Sequence, residues 1–404
     1  MEGEIRIAKE KHAIHTYLEI LYVSTILGLT SFGGPIAHLG YFRHEYVQKR
    51  KWLDEERYAS LIALCQFLPG PASSQAGIGI GVIRGGLLGG VLSFIGFTLP
   101  SAAALILFSG LLQISGAGGS GWIAGLKMVA VAVVLHAVLG MMHNLAYDMK
   151  TRTIAFLSLA VALLWQTIYS QPLIILAAGL TGYLLFRHAG RSSAAESETV
   201  LRFPISKKIG TLCLMLFFVL LAVLPAVRAW TGSEWAAMID SLYRSGALVF
   251  GGGHVVLPFL EQEFVRSGLM DNSSFLAGYG ATQAVPGPLF TFAAYIGTVL
   301  KGWSGGVLAI LAIFLPAFLL IIGVLPFWAE LSRQPKIKNT LAGVNAAVVG
   351  LLFAAFYSPI WTSVIRGPYD FVLAAFLFAM LAIWKMPPWT VVLAGVVIGI
   401  LFLG

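Results

Sequence analysis

Gln66-Phe67-Leu68-Pro69-Gly70-Pro71 interrupts an apolar segment long enough to lie in a bilayer, and Gln283-Ala284-Val285-Pro286-Gly287-Pro288 interrupts another in the second half of the chain. A Pro-Gly-Pro sequence cannot continue a helix. The first proline removes a backbone donor, glycine permits unusual dihedrals, and the second proline forces that glycine out of the α region. The residues after each motif read as helix, with Pro71 and Pro288 at the first position, where proline is favoured. A new helix therefore starts inside the membrane at two matching places. A helix start carries unpaired N–H groups and about half a positive charge. In lipid it is tolerated only where protein or a water-filled cavity surrounds it. Paired broken helices in two halves of a chain point to a transporter's substrate site, and their exposed N-termini suit an anion.

The composition supports the membrane reading. Hydrophobic residues make up 58% of the 404 and charged residues 11%, with a mean hydropathy of +0.85. A soluble domain carries roughly 25% charged residues. The 45 glycines fit close helix packing and broken helices. The net charge of +8 lies mostly in short loops, where it sets orientation rather than binding nucleic acid. Cys65 and Cys213 lie in separate apolar segments, without disulfide or metal spacing. The N-terminal residues are polar and mixed in charge, unlike a cleavable signal peptide.

The chain reads as two homologous halves. Residues 32–47 align without gaps on 250–265, with identities at Phe32/Phe250, Gly33/Gly251, Gly34/Gly252, Leu39/Leu257, Glu45/Glu263 and Val47/Val265. The Pro-Gly-Pro motifs come next in both copies. Arg84-Gly85 then falls on Lys301-Gly302, and Leu99-Pro100 on Leu315-Pro316. Shared order of breaks and charges marks a duplication. The expected fold is all-α: a polytopic membrane protein of two homologous helical halves, inverted repeats with broken helices at the midplane. A first repeat covers 1–187, a cytoplasmic linker plus connecting transmembrane helix covers 188–234, and a second repeat covers 235–404.

Orientation follows from parity. Counting each broken span as one crossing gives six crossings in the first half and a seventh at 209–230, so the second copy is inverted. Lys150, Arg152, the basic residues of 187–208 and of 333–338, and Lys385 then face the cytoplasm, as the positive-inside rule asks. Residues 43–57 fall outside despite their basic charge. If the broken spans turn back instead, this count predicts parallel copies.

Four groups carry candidate chemistry. The first is the pair of helix starts: Gly70, Pro71, Gly287 and Pro288, with Gln66, Ser73, Ser74, Gln75, Gln283 and Thr291 supplying polar groups for an oxyanion. The plainer alternative is a kink in a packed helix. The second is Gly33-Gly34 and Gly251-Gly252, where backbone can approach a ligand, with His38 and His254 as anion or proton sites; small-residue packing is the alternative. The third is Glu45 and Glu263, an acid kept in both copies and a candidate for proton coupling, or else a solvated partner of Arg43 or Arg266. The fourth is Arg84 and Lys301, cations that steer anions or anchor helix ends by snorkelling. Asn345 and His136 read as interhelical polar contacts. No nucleotide-binding loop, hydrolase motif or metal spacing occurs, so neither an enzyme nor a cofactor is expected.

Phe32-Gly33-Gly34-Pro35 with His38, the two Pro-Gly-Pro motifs, Ser73, Gln75 and Phe250-Gly251-Gly252-Gly253-His254 resemble the chromate ion transporter family in its long-chain, two-domain form. The resemblance runs from about residue 16 to the C-terminus. It implies a multi-pass protein of the cytoplasmic membrane that exports chromate, with competition by sulfate, driven by the proton-motive force. Chromate and sulfate are both tetrahedral dianions, so sulfate or another oxyanion, taken up rather than exported, stays open. The rival classes are an intramembrane enzyme acting on lipid phosphates and a non-transporting scaffold or channel. Protons are the expected coupling ion, the lipid bilayer is the surrounding partner, and a homodimer stays open. The second copy departs from the first at Gly253 for Pro35 and at Leu289-Phe290 for Ala72-Ser73, so unequal contributions to one site are expected.

Overall fold

The computed structural model describes residues 2–32, 34–114, 121–165, 167, 170–186, 205–250, 253–331 and 334–402. Among these no strand occurs, as expected where lipid offers no partner to a bare peptide group. The first half contains α1 (Glu2–Thr30), α2 (Gly34–Phe42, continued by a π-helical turn, Arg43–Lys49), α3 (Glu55–Phe67), α4 (Ala72–Ile114), α5 (Gly121–Leu145), α6 (Met149–Leu164) and α7 (Ser170–Leu185). The connecting helix is α8 (Lys207–Thr231). The second half contains α9 (Glu234–Leu248), α10 (Val256–Leu260), α11 (Asn272–Thr282), α12 (Phe292–Val324), α13 (Trp328–Leu331), α14 (Pro335–Ala355), α15 (Thr362–Val364), α16 (Pro368–Ala382) and α17 (Pro388–Phe402).

The broken spans turn back. Gly79 faces Leu61, with the two lying on opposite sides of the Pro69–Pro71 break, and the Tyr295 hydroxyl donates to the Ser274 carbonyl at 2.9 Å across the second break. Along a continuous rod these partners would be about 27 and 32 Å apart. Each Pro-Gly-Pro is therefore the tip of a helical hairpin. A second reversal lies within α4 at Gly85 and Gly86 (φ −138° and +63°), where Gly81 meets Gly89 and the Ser93 hydroxyl donates to the Gly77 carbonyl at 2.8 Å. Lys301 and Gly302 repeat it within α12. Tyr46, at the end of the α2 hairpin arm, reaches back to Ser24 of α1, so α2 runs back along α1.

The copies are nonetheless inverted. The long arm of α4 packs on the long arm of α12, with Phe94 on Phe314 (ring centroids 5.1 Å apart) and Ile106 on Gly306. Numbers rise along one arm as they fall along the other, so these equivalent helices are antiparallel. The count of six crossings is thus corrected: each Pro-Gly-Pro hairpin returns the chain to its starting face. Only the long arm of α4 and the helices after it carry the parity, and α8 makes the total odd. The charge exception disappears with it. Arg50 pairs with Glu19 at 3.0 Å, Arg84 lies over Trp52, Trp328 donates to Ser60 and Lys207 pairs with Glu330 at 2.9 Å. The basic loop 49–57 therefore shares one face with Lys207, Lys208 and Lys336; we call it the first face. Lys301, Glu234, Lys127 and Ser273 mark the second face.

The halves interlock. α5 packs on α16 and α17, while its counterpart α14 packs on α6 and α7. Gly125 meets Gly395, and Gly343 meets Ala178 and Gly182. In lipid, helix association depends on such close backbone packing rather than on a hydrophobic drive.

Candidate functional site

Both tips sit at mid-depth, each against the other copy. Gly70 adopts φ +112° and Gly287 φ +101°, a region that favours glycine. The Gly70 N–H donates to the Val249 carbonyl at 2.6 Å, and the Gly287 N–H donates to the Ser31 carbonyl at 2.9 Å. Ser31 and Val249 are the residues just before the two Phe-Gly-Gly breaks, so the pair of bonds repeats the internal symmetry. A Cβ on Gly287 would lie 2.9 Å from the Ser101 hydroxyl, and one on Gly70 would lie 3.4 Å from the Ala317 methyl.

The two glycine N–H groups are thus engaged between copies, not free for a ligand. Gln75 N–H and Thr291 N–H bond to the Pro71 and Pro288 carbonyls. The N–H groups of Ala72, Ser73 and Ser74, and of Leu289 and Phe290, keep no partner among the described residues, as expected for first helical turns. Around the first tip the polar side chains are buried. His38 Nδ1 lies 3.3 Å from the Ser73 hydroxyl, and the Gln75 amide donates to the Pro69 carbonyl at 2.7 Å. His38 Nε2, Ser74 Oγ, Gln75 Oε1, Thr98 Oγ1 and Ser31 Oγ have no hydrogen-bond partner among the described residues. Buried polar atoms are rarely left this way.

A cavity of about 530 Å³ opens at the second tip. Ser31, Phe32, Gly34 and Tyr41 of the first copy form one wall; His254, Thr282, Gln283, Val285, Gly287 and Leu289 of the second form the opposite one. Val133 and His136 of α5 and the turn between α16 and α17, including Lys385, complete it. His254 Nδ1 lies 2.7 Å from the Tyr279 hydroxyl, and its Nε2 faces Gly34 across the space that a Cβ at Gly34 would narrow. No carboxylate lines the cavity among the described residues.

Of the residues expected from sequence, Gly34, His254, Gln283 and Gly287 line this cavity. Gly70, Pro71, Ser73, Ser74, Gln75 and His38 lie in the buried cluster at the first tip. Gln66 is exposed and stands apart from the cavity, unlike its counterpart Gln283. Pro288 comes directly after Gly287, and the Thr291 hydroxyl caps its own turn by donating to the Pro288 carbonyl at 2.7 Å. Gly33, Gly251 and Gly252 lie outside the described residues. Glu45, Glu263, Arg84 and Lys301 are not brought to the cavity. Glu45 pairs with Lys49 and Arg50, and Glu263 with Arg244 and Arg228. Arg84 pairs with Glu19 and Lys301 with Glu234. They fasten the outer ends of the hairpins.

Sequence reasoning did not find Ser31, Tyr41, Thr282 or Lys385, and it gave His136 a structural part. The signal for Lys385 was a cation in Trp384-Lys385-Met386-Pro387-Pro388, a break between two short apolar helices. Among the described residues no group of three potential metal ligands occurs.

Known relatives match both halves of the chain. A family model described as chromate transporter matches residues 18–183 and 236–400. The chain is 26% identical over 359 residues to a probable chromate transport protein of Synechococcus elongatus, covering 85% of this chain and 84% of that one. It is 27% identical over 348 residues to a chromate transport protein of Pseudomonas aeruginosa, covering 81% and 77%. An uncharacterized transporter of Methanocaldococcus jannaschii is 26% identical over 347 residues, 85% of each chain. No solved structure matches.

Proposed function

The chain belongs to the chromate transporter family, and from that premise we propose that it is a secondary carrier exporting chromate across the cytoplasmic membrane, driven by the proton-motive force. The observation that carries the reading is the cavity where the second tip meets Ser31, Phe32 and Gly34 of the first copy. It is walled by both copies and holds hydroxyl, amide and imidazole groups but no carboxylate among its described lining residues. A dianion entering a low-dielectric site is stabilised by such donors and repelled by acids. Gln283, Ser31 and His254 orient the anion there, while the Thr282 hydroxyl donates to the Gly278 carbonyl of its own helix at 2.8 Å. The unpartnered N–H groups of Ala72–Ser74 and the Ser74 hydroxyl provide a second set of donors at the start of α4, where the helix end favours negative charge.

Direction rests on charge. The positive-inside rule makes the first face cytoplasmic, because Arg50, Lys51, Arg57, Arg84, Lys207 and Lys208 gather there. The cavity extends from the tips toward Tyr41, which lies between Gly34 and that face. This arrangement suits loading from the cytoplasm. The titratable groups that line the cavity are Tyr41, His136, His254 and Lys385, so protonation there favours anion binding. Glu45 and Glu263, each holding two cations, are the less suited coupling sites. The division into a first repeat at 1–187, a linker with the connecting helix at 188–234 and a second repeat at 235–404 belongs to the same proposal, as does the absence of catalysis.

Flux of chromate and of radiolabelled sulfate, in vesicles of both orientations, tests the proposal. Saturable chromate movement out of the cytoplasmic compartment, slowed by an uncoupler and inhibited by sulfate, is expected. Movement that does not saturate, or that ignores the gradient, would overturn it; preferred sulfate entry would favour an uptake carrier instead.

A further inference from the structure

We infer that Lys385 is the residue by which this cavity selects doubly over singly charged anions. The inference rests on the carrier reading above and deepens it. Lys385 is the single formally charged side chain among the described lining residues. It sits on the turn joining α16 to α17, with φ +52°, one of two residues other than glycine in the left-handed region among the described residues. That turn is fixed from both sides. The Trp384 N–H donates to the Ala379 carbonyl at 3.0 Å, and the Met386 N–H donates to the Met380 carbonyl at 2.8 Å. Pro387 and Pro388 stiffen the entry to α17. An unfavourable backbone conformation held in this way marks a position worth a functional hypothesis.

Among the described cations near helix ends that meet no carboxylate, such as Lys208, Lys336 and Arg366, Lys385 is the one that lines the cavity. Arg84, Lys207, Arg228, Arg244, Arg266 and Lys301 each meet a carboxylate. Lys385 is exposed and has no partner among the described residues. A lysine that only snorkels at an interface needs neither a cavity nor a rigid turn. An unpaired ammonium at an acid-free cavity raises the local anion concentration, and its attraction scales with the charge of the ligand. A factor f for a monoanion becomes about f squared for a dianion of the same shape.

That squared relation gives the test. Chromate flux in vesicles is measured for wild type, K385R and K385Q, with perchlorate, a tetrahedral monoanion, as competitor. In K385Q the half-saturating chromate concentration should rise about tenfold and the inhibitory perchlorate concentration about threefold; K385R should stay near wild type. In the wild type, raising ionic strength from about 0.01 M to about 0.15 M should weaken chromate binding more than perchlorate binding, and K385Q should flatten that difference. Equal shifts for both anions, no shift in either, or a wild type indifferent to salt would overturn the inference. A wild type without saturable chromate flux would instead overturn the carrier reading.

Discussion

Gly287→Ala puts the tip geometry to the strongest test. The backbone there has φ +101°, which costs an L residue about 1–3 kcal/mol. The added methyl would lie 2.9 Å from the Ser101 hydroxyl and 3.3 Å from its Cβ, short of the roughly 3.5–4.0 Å of a relaxed carbon contact. Either α4 or the tip must move by several tenths of an ångström. That movement strains the Gly287 N–H to Ser31 carbonyl bond of 2.9 Å, which is worth about 1 kcal/mol. The sum is about 2–4 kcal/mol, or roughly 30- to 1,000-fold if it falls on the transport-competent geometry. Gly302→Ala is the matched control, with φ +70° and nothing within 4 Å of the new Cβ. Both variants should lower the melting temperature in detergent by a few degrees, but only Gly287→Ala should cut chromate flux about a hundredfold at equal membrane abundance. Wild-type flux in Gly287→Ala would refute the reasoning, as would flux losses in the two variants that simply track their thermal losses.

Three further outcomes are expected from the architecture. In a background lacking Cys65 and Cys213, cysteines at Arg57 and Lys208 should react with an impermeant thiol reagent from the same side, and one at Arg366 only from the other; a shared side for all three would remove the inversion. Asp240, 1% exposed, accepts from Arg228 at 3.3 Å and Arg244 at 2.9 Å, so Asp240→Asn should destabilise by about 2–4 kcal/mol, the lower end reflecting partial solvent access to the arginines. Thermal unfolding measures it, and a loss under about 0.5 kcal/mol would show that the cluster does not hold α8 to α9. Asp148 caps α6 by accepting from the Thr151 N–H at 2.8 Å, and the Thr151 hydroxyl bond is the main cause holding its carboxyl below the usual range. Its contribution is therefore full above the unfolded carboxyl range and lost as pH falls through the lower folded value. Asp148→Ala should cost about 1 kcal/mol near neutral pH and progressively less in unfolding scans below about pH 4; a gap that widens with acid would contradict the capping role.

The breaks, the duplication and the inverted relation were legible because glycine, proline and charge punctuate an otherwise uniform apolar chain. The path between them was not. Residues 58–84 suit one broken crossing or two short arms equally by length, and the decision rests on packing, such as Gly79 on Leu61. Gly85-Gly86 reads as the start of a new span whether the chain continues or reverses. The parity rule therefore reached the inverted arrangement through a wrong count, and the misplaced basic loop 49–57 was the visible symptom. At the site, repeated motifs identified Gly34, Gln283 and Gly287. Ser31 and Tyr41 flank the Phe-Gly-Gly motif without repeating in the second copy, and His136 and Lys385 come from unrelated segments, so only the crossing of the copies brings them together. Retention of Glu45 and Glu263 in both copies reflected a shared need to fasten hairpin ends with cations.

The unequal copies bear on how the anion leaves. Aligning the repeats places Val249 opposite Ser31, Ile36 opposite His254, Cys65 opposite Thr282 and Gln66 opposite Gln283. Three of these four lining positions thus have counterparts that offer a dianion no strong donor. If the copies exchange conformations, as inverted repeats do in alternating access, the mirrored cavity toward the second face binds chromate weakly. Equilibrium across the membrane is unchanged by this, since only the driving gradients set it, but release becomes fast on one side and capture strong on the other. Replacing Val249 by serine should raise the apparent chromate affinity measured from the second face by about fivefold, the worth of one added hydrogen bond near 1 kcal/mol, and slow net export. Affinity from the first face should stay within about twofold. An equal gain on both faces would mean that the two cavities are one site, and the asymmetry of the repeats would then have no part in direction.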